Sequence, residues 1–211
     1  MVSRWLELFG LFFISPVIIV LLIQDIDAWL MPMLGFMGVV CLSLLLVDKQ
    51  FKRFRLWHTQ NIKSHLRSSV RFFAPWACLL TLGIYFIFPD YFLALPIQNN
   101  SLWLITLLIY PLVSVIPQEI IFRTYFFHRY KNILPSKTGR LLVSSFCFGL
   151  AHIVYGNWIA VAVTWVGGLI FGYRYIQTRS TLVVIIEHSM WGSFLFTIGL
   201  GAFLLTQPPT S

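Results

Sequence analysis

The sequence LWLITLLIYPLVSVIPQEIIFRTYFF, residues 102–127, is apolar over more residues than a membrane-spanning helix needs. About 20 consecutive apolar residues cross the hydrocarbon core of a bilayer as a helix. This stretch also contains a carboxylate, Glu119, and a guanidinium, Arg123, well inside it. A charged side chain at that depth costs about 2.5–3.5 kcal/mol on insertion scales and usually marks a functional position. The stretch therefore predicts a membrane-spanning helix that contributes polar groups to a site within the membrane.

The composition of the whole chain agrees with this reading. Of its 211 residues, 58% are hydrophobic and 10% are charged, whereas soluble domains are roughly 45–50% apolar and about 25% charged. A water-soluble globule is excluded, because so few charged residues cannot cover so large an apolar interior. The three cysteines, Cys41, Cys78 and Cys147, each lie in an apolar run, which favours packing over a disulfide framework or a metal cluster.

The apolar stretches predict an all-α, polytopic bundle of about seven transmembrane helices. The predicted spans are residues 5–24, 28–47, 71–89, 102–127, 140–155, 158–176 and 181–205. Within this single membrane domain, residues 1–100 are expected to form the N-terminal helices and residues 101–205 a functional core of four helices. The chain is expected to be a multi-pass protein of the cell membrane.

The fifteen basic residues predict the orientation of the bundle. They lie before the first span, after the second, at the end of the fourth and after the sixth; they are Arg4, then Lys49, Lys52, Arg53, Arg55, Lys63, Arg67 and Arg71, then Arg123, Arg129, Lys131, Lys137 and Arg140, then Arg174 and Arg179. Because cytoplasmic loops are enriched in Lys and Arg, the N-terminus is predicted to be cytoplasmic and the C-terminus external.

The basic residues also indicate the partners of the chain. Between residues 48 and 70 they alternate with apolar side chains, which predicts an interfacial helix that binds membrane lipids. His58 and His65 in this segment, and His128 near the boundary, are expected to have interfacial roles. The basic residues do not cluster on one soluble face, so nucleic acid is excluded as a partner.

The ionisable residues inside the predicted spans lie in the C-terminal half. Counted at 1.5 Å per residue from Arg129, Arg140 and Arg179, the side chains of Glu119, His152 and His188 lie about 15, 18 and 13 Å deep. A carboxylate and two imidazoles from three helices can therefore meet near the middle of the membrane. Such a group requires a water-accessible pocket.

Local sequence supports a pocket at this depth. Pro111 and Pro117 interrupt the fourth helix just before Gln118 and Glu119, and proline loosens helical backbone where a pocket is lined. Glu119 and Arg123 are four residues apart, so the guanidinium can hold and orient the carboxylate. Taken alone, this pair also fits a structural ion pair, and a single buried histidine also fits an interhelical hydrogen bond. Gly149, Gly156, Gly167, Gly168, Gly172 and Gly192 provide small surfaces for close helix approach.

Three motifs in this half of the chain resemble those of the CAAX protease and bacteriocin-processing enzymes, also called the Abi family, of intramembrane endopeptidases. The family pattern is Glu-Glu-x-x-x-Arg, then Phe-x-x-x-His, then His followed four residues later by Asn or a similar polar residue. The chain has QEIIFR at 118–123, FGLAH at 148–152 and HSMWG at 188–192. The resemblance covers about residues 105–195 and implies peptide hydrolysis near the membrane. It implies that a glutamate and His152 activate water, while the third motif, beginning at His188, stabilises the oxyanion.

The sequence departs from the family pattern at Gln118 and at Gly192. An amide cannot act as a general base, so three explanations stay open. Glu119 takes over as base, with Gln118 as an orienting or oxyanion donor; or Gln118 marks a natural subfamily or an inactivating substitution; or the chain is a non-catalytic relative. Glu187 is predicted either to orient the imidazole of His188 or to replace the missing carboxylate.

We therefore predict an intramembrane endopeptidase acting on membrane-associated peptides or on the C-terminal tails of proteins. Its predicted site residues are Gln118, Glu119, Arg123, His152, Glu187 and His188. The alternatives are a non-catalytic binding protein, such as a bacteriocin self-immunity protein, and a small transporter, although the crowding of polar groups in one half argues against a transporter. No cofactor is expected. The sequence lacks His-Glu-x-x-His but leaves a divalent metal such as zinc open.

Overall fold

Seven long apolar helices make up most of the computed structural model, which describes residues 2–204. They are α1 (Val2–Leu21), α2 (Ile23–Val47), α3 (Ile62–Ile87), α4 (Asn100–Arg129), α5 (Lys137–Tyr155), α6 (Trp158–Thr178) and α7 (Thr181–Ile198). Shorter helices lie at Phe54–Trp57, Pro89–Tyr91, Ala94–Gln98 and Leu200–Leu204, and no strand occurs among the described residues. The predicted all-α bundle of seven spans is confirmed. Residue 205, the predicted end of the last span, lies outside the described range.

The surface of α1, α2 and α3 is strongly apolar, as expected of helices that face lipid. Val39, Val47, Leu79 and Phe86 are each at least half exposed, whereas α7 is the most buried of the seven helices. In water such exposed side chains would form an aggregation-prone surface. In a bilayer they contact lipid tails, so α7 lies closest to the centre of the protein and α1 to α3 lie toward the outside.

The basic segment between α2 and α3 differs from its prediction. Residues 48–70 do not form one helix: a short helix at Phe54–Trp57 is followed by a turn, in which Asn61 adopts a left-handed conformation with φ of 58°. Helix α3 then begins at Ile62, nine residues before the predicted start at 71. The predicted start was late because hydropathy marks the apolar part of a helix and not its polar first turns. The predicted binding of this segment to lipid stays a prediction.

Polar side chains fix the first turns of α4 to α7. The side chains of Asn99, Ser136, Asn157 and Ser180 each accept a hydrogen bond from the backbone N–H three residues later. The N–H groups of a first helical turn have no partner within the helix, and such caps satisfy one of them. All four helices that were predicted to build the functional core therefore have capped N-termini.

Helix α4 is irregular near the predicted site. Two π-helical stretches, Pro111–Val115 and Ile120–Tyr125, enclose the α-helical turn Ile116–Glu119. Pro111 and Pro117 lack the N–H that the regular ladder needs, so the hydrogen bonds shift to wider turns. The predicted interruption of this helix is confirmed, and it sets the direction in which Gln118 and Glu119 project.

Helix α1 packs against the C-terminal half of α4. Phe12 makes edge-to-face contacts with the rings of Phe122 and Phe126. Closer to the membrane boundary, the carboxylate of Glu7 accepts hydrogen bonds from Arg129, at 2.7 and 2.8 Å, and from Tyr125, at 2.9 Å. The N-terminal helices are therefore packed into the same core as the helices that carry the predicted site.

A second polar contact joins the ends of α2 and α4. His128 Nε2 lies 2.8 Å from a carboxylate oxygen of Asp48, and the ring of His128 is buried. Hydrogen bonds from His128 and from the backbone N–H of Gln50 hold the pKa of the Asp48 carboxyl below its usual value. His128 was predicted to have an interfacial role; its ring is buried in this contact at the ends of the two helices, and the interfacial role stays a prediction.

Helices α5 and α6 approach closely along glycines. A Cβ atom added at Gly149 would lie 2.9 Å from the side chain of Trp165, and one added at Gly168 would lie 2.9 Å from the backbone Cα of Ser145. Both distances are shorter than real Cβ contacts. The predicted use of glycine for close helix approach is confirmed at these two positions and at Gly172, which faces Leu141.

We predict that Gly168→Ala destabilises the protein by about 1–3 kcal/mol, because the new methyl group meets the backbone of α5. Gly35→Ala in α2 is the matched control: nothing lies within 4 Å of its added Cβ, so the exchange is expected to be neutral or stabilising. Thermal unfolding of both variants in the same detergent tests this. Equal melting temperatures for the two variants would contradict the close packing of α5 and α6.

Candidate active site

A large cavity lies among helices α3 to α7. Its volume is about 840 Å³, and its wall is mainly aliphatic and aromatic. None of the described residues that line this cavity is Asp, Glu, Lys or Arg. The polar side chains that face it are Thr106, Tyr110, Ser114, Gln118, His152, Tyr155, Thr164 and His188. A cavity of this size and character accommodates an apolar segment while offering it a few polar contacts.

A second, smaller cavity lies on the other side of α4 and α5. Its volume is about 250 Å³, and α1 and α2 form much of its wall. Gln118, His152 and Tyr155 line both cavities. These three side chains therefore lie in the partition between the two spaces, where they can contact a molecule that enters from either one.

His152 lies at the end of the regular part of α5, and one hydrogen bond fixes its ring. Its Nδ1 is 2.7 Å from the backbone carbonyl oxygen of Phe148, one turn earlier. Because a carbonyl only accepts, Nδ1 carries the hydrogen, and in the neutral ring Nε2 then has a free lone pair. The ring is buried in the protein but lines the cavity. This arrangement gives His152 the form of a general base.

Glu119 lies behind the cavity wall. Its side chain is fully buried and lines neither cavity. One carboxylate oxygen is 2.7 Å from Nδ1 of His188, and the other is 3.3 Å from Nε of Arg123. The structure therefore places Glu119 where it holds His188. This placement departs from the prediction that Glu119 itself activates water, because Glu119 does not line the cavity and its two oxygens face His188 and Arg123.

Arg123 completes this buried group. Its guanidinium lies 4.6 Å from the centre of the Phe148 ring, and Nη1 is 3.4 Å from the hydroxyl of Ser144. A fully buried guanidinium is costly unless it is paired, and the carboxylate of Glu119 provides that pairing. The predicted contact between Glu119 and Arg123 is thus present, on the side of α4 that faces α5.

His188 connects the buried carboxylate to the cavity. Its ring stacks on Phe171, with centroids 4.3 Å apart, and its Nε2 is 3.1 Å from the hydroxyl of Tyr110. Glu119, His188 and Tyr110 therefore form a continuous hydrogen-bonded chain from the interior to the cavity surface. The rings of His152 and His188 both pack against Phe148, so the two predicted histidines are brought to one place.

Tyr110 was not among the predicted site residues. A signal was nevertheless present in the sequence: Tyr110, Ser114 and Gln118 are spaced by four, and all three line the large cavity. Gln118 donates from Nε2 to the hydroxyl of Ser114 at 3.1 Å. Sequence analysis missed Tyr110 because a tyrosine in a long apolar run is indistinguishable from a packing residue.

Glu187 lies apart from the histidines, contrary to its prediction. Its two carboxylate oxygens accept hydrogen bonds from Nε and Nη2 of Arg174, at 2.6 and 3.2 Å. Arg174 was predicted to be in a cytoplasmic gap, but it is buried within α6. Neighbouring positions on a helix point about 100° apart, so Glu187 faces α6 while His188 faces α4. The proposed orienting role of Glu187 toward His188 is replaced by a structural ion pair between α6 and α7.

The donor set of the site does not fit a metal centre. Among residues 2–204, no three side chains of His, Cys, Asp or Glu are grouped so that they could hold a metal ion. Glu119, the carboxylate nearest to the two histidines, is already engaged by Arg123 and His188. The residues of the site are therefore considered as a hydrolytic group made only of side chains.

Comparison with known families supports the resemblance found in the three motifs. Residues 99–194, somewhat less than half of the chain, match the family described as type II CAAX prenyl endopeptidase Rce1-like. The matched segment contains Tyr110, Gln118, Glu119, His152 and His188, and thus every group of the candidate site. No curated protein and no solved structure matches the chain.

We predict that Arg174→Met lowers the free energy of unfolding by about 3–5 kcal/mol, because it leaves the buried carboxylate of Glu187 unpaired. The double variant Arg174→Met, Glu187→Leu is expected to recover most of this loss, since it removes both charges. Arg67→Met is the control, because Arg67 is exposed on α3 and such changes stay within about 0.5 kcal/mol. A double variant with a lower melting temperature than Arg174→Met would contradict the ion pair between Arg174 and Glu187.

Proposed function

We propose, from the place of residues 99–194 in the Rce1-like family of CAAX endopeptidases, that the chain is a membrane endopeptidase. It would hydrolyse a peptide bond in a membrane-associated peptide or protein that enters the large cavity. The observation that carries the proposal is the orientation of His152, whose Nδ1 is held by a backbone carbonyl while the ring lines the cavity. An imidazole fixed in this way can accept a proton from water beside a bound peptide.

The reaction uses one water molecule. As the water oxygen attacks the peptide carbonyl carbon, one of its protons passes to Nε2 of His152, and the π electrons of the carbonyl move onto its oxygen. The tetrahedral intermediate then collapses: the C–N bond breaks, and the proton on His152 passes to the leaving nitrogen. The products are a carboxylic acid group and an amine, so atoms and charge balance. Gln118, which lines both cavities as His152 does, can orient the water through its amide.

The carbonyl oxygen needs hydrogen-bond donors as it becomes negative. The second polar group of the cavity consists of His188 and Tyr110, and His188 packs against the same Phe148 ring as His152. In this scheme Glu119 and Arg123 act from behind the wall. They fix the position of His188 and so contribute to geometry and not to proton transfer.

The cavity favours substrates that are uncharged near the scissile bond. Its described lining carries no lysine or arginine that could bind a free carboxylate, and an unpaired charge in an apolar cavity is costly. The C-terminal carboxylate of a substrate tail is therefore expected to remain outside the cavity. This favours cleavage within a chain, several residues from its end, over removal of one terminal residue at a time.

A second candidate function is the binding of a membrane peptide without cleavage. One observation favours it: at the position where the family carries its first glutamate, the side chain that reaches the cavity is the amide of Gln118, while Glu119 does not reach it. An amide cannot take a proton from water. The same cavity would then hold an apolar peptide that is bound but not hydrolysed.

We predict that the purified wild-type protein cleaves apolar membrane peptides in detergent or vesicles, and that His152→Ala lowers kcat by about 10²–10⁴-fold, which is the usual contribution of a general base. His65→Ala is the matched control, since His65 lies on the first turns of α3, away from the cavity lining. Mass spectrometry of the products measures the rate and the cleavage site. Tight peptide binding by a wild-type protein that shows no cleavage would overturn the endopeptidase and favour the second candidate.

We also predict that Gln118→Glu raises the cleavage rate, because it adds a carboxylate to the cavity that His152 lines. Gln118→Ala is the control, since it removes the amide without adding a base. The rates of the three proteins are compared on one peptide over a range of pH. A Gln118→Glu protein no faster than the wild type would show that an acid at this position does not contribute to the reaction.

A further inference from the structure

Position 192 is the second departure from the family pattern, and the structure shows what occupies the space there. The third motif of the family places a polar residue four positions after its histidine, whereas this chain has Gly192. A Cβ atom added at Gly192 would overlap the ring and the hydroxyl of Tyr110. The side chain of Tyr110, on α4, therefore fills the volume that a side chain at position 192 of α7 would need.

The hydroxyl of Tyr110 is held at the cavity surface. It lies 3.1 Å from Nε2 of His188, whose Nδ1 is bound to the buried carboxylate of Glu119. The ring of Tyr110 packs against Phe196, with centroids 5.1 Å apart. Packing against Phe196 and a hydrogen-bonded chain through His188 together fix the position of this hydroxyl.

We propose that Tyr110 replaces the polar residue of the third motif and donates its hydroxyl hydrogen to the carbonyl oxygen of the substrate. This proposal rests on the proposed endopeptidase function. It assigns Tyr110 as a catalytic residue, because its hydroxyl contacts a reacting atom. His188 and Glu119 are positioning residues, which hold that hydroxyl through the hydrogen bond from Tyr110 to His188.

The change during the reaction is a rotation of one hydrogen. In the absence of substrate the hydroxyl of Tyr110 pairs with Nε2 of His188. When the carbonyl π electrons move onto oxygen, the hydroxyl hydrogen turns about the Cζ–Oη bond and donates to that oxygen. A neutral hydrogen bond is exchanged for a charge-assisted one, which is about twice as strong. The hydrogen stays on Tyr110 throughout, so proton transfer remains with His152.

The reason for a tyrosine at this place is its length. Gly192 leaves α7 without a side chain at the third motif, and the neighbouring helix α4 must reach across the gap. A tyrosine spans that distance with a rigid ring and ends in a hydroxyl. The glycine and the tyrosine are therefore two parts of one arrangement, since any side chain at position 192 would displace the ring.

The test uses four variants of the full chain: Tyr110→Phe, Tyr110→Ala, Gly192→Asn, and the double variant Tyr110→Ala, Gly192→Asn. We expect Tyr110→Phe to lower kcat by about 10²-fold, the usual loss for one oxyanion donor, with KM changed less than threefold. Tyr110→Ala is expected to be at least as impaired. The double variant, which has room for the asparagine, should regain at least tenfold in kcat over Tyr110→Ala. Gly192→Asn alone should lose activity through its clash with Tyr110.

A second measurement separates oxyanion binding from packing. A peptide phosphinate, whose tetrahedral phosphorus and anionic oxygens resemble the intermediate, and the matching amide are titrated against wild type and Tyr110→Phe. The proposal requires a much greater loss of affinity for the phosphinate than for the amide, and it is overturned by equal losses for both.

The outcomes also distinguish the two proposals. If the wild type cleaves peptides and Tyr110→Phe retains its kcat, the role of Tyr110 is wrong and the endopeptidase stands. If the kcat of the double variant is no higher than that of Tyr110→Ala, position 192 and Tyr110 do not share one function. The proposal that Tyr110 replaces the polar residue of the third motif is then wrong. A wild type that binds peptide without cleaving it overturns both.

Discussion

The carboxylate of Glu119 is the group on which the candidate site depends. It is fully buried in a chain that has few charges, and it is paired on one side with Arg123 and on the other with His188. Removing one partner from a buried ion pair costs about 3–5 kcal/mol, so Arg123 and Glu119 are expected to be retained together. This pairing fixes His188 with respect to α4, and the hydrogen bond that Tyr110 donates to His188 extends the same constraint to the cavity surface.

Irregular backbone and close helix packing make this arrangement possible. Two π-helical stretches in α4 flank the turn from which Gln118 reaches the cavity while its neighbour Glu119 is buried behind the wall. Gly149 and Gly168 let α5 and α6 approach closely enough for His152 and Phe171 to surround the same space. A regular helix at α4, or larger side chains between α5 and α6, would separate the groups that the reaction requires.

Two buried ion pairs illustrate how far sequence reasoning extended. The pairing of Glu119 with Arg123 was predictable, because the two residues lie four apart on one helix and helical neighbours meet at that spacing. The pairing of Glu187 with Arg174 was not, because these residues lie on different helices and thirteen positions apart. The count of basic residues assigned Arg174 to a cytoplasmic gap, although the predicted span 158–176 contains it, because a sequence does not distinguish a charge in water from one buried against a carboxylate. Tyr110 was missed for a similar reason, because its partners lie on α7.

The sequence by itself determined that the chain spans a membrane, the approximate positions of its seven helices, and the three motifs that contain Gln118, His152 and His188. These properties depend on length, hydropathy and spacing along one chain. Only the tertiary structure decided which polar groups reach the cavity, that Glu119 supports His188 from behind the wall, and that Tyr110 occupies the space left by Gly192. The direction of a side chain relative to another helix depends on packing between segments, and spacing along one chain does not contain that information.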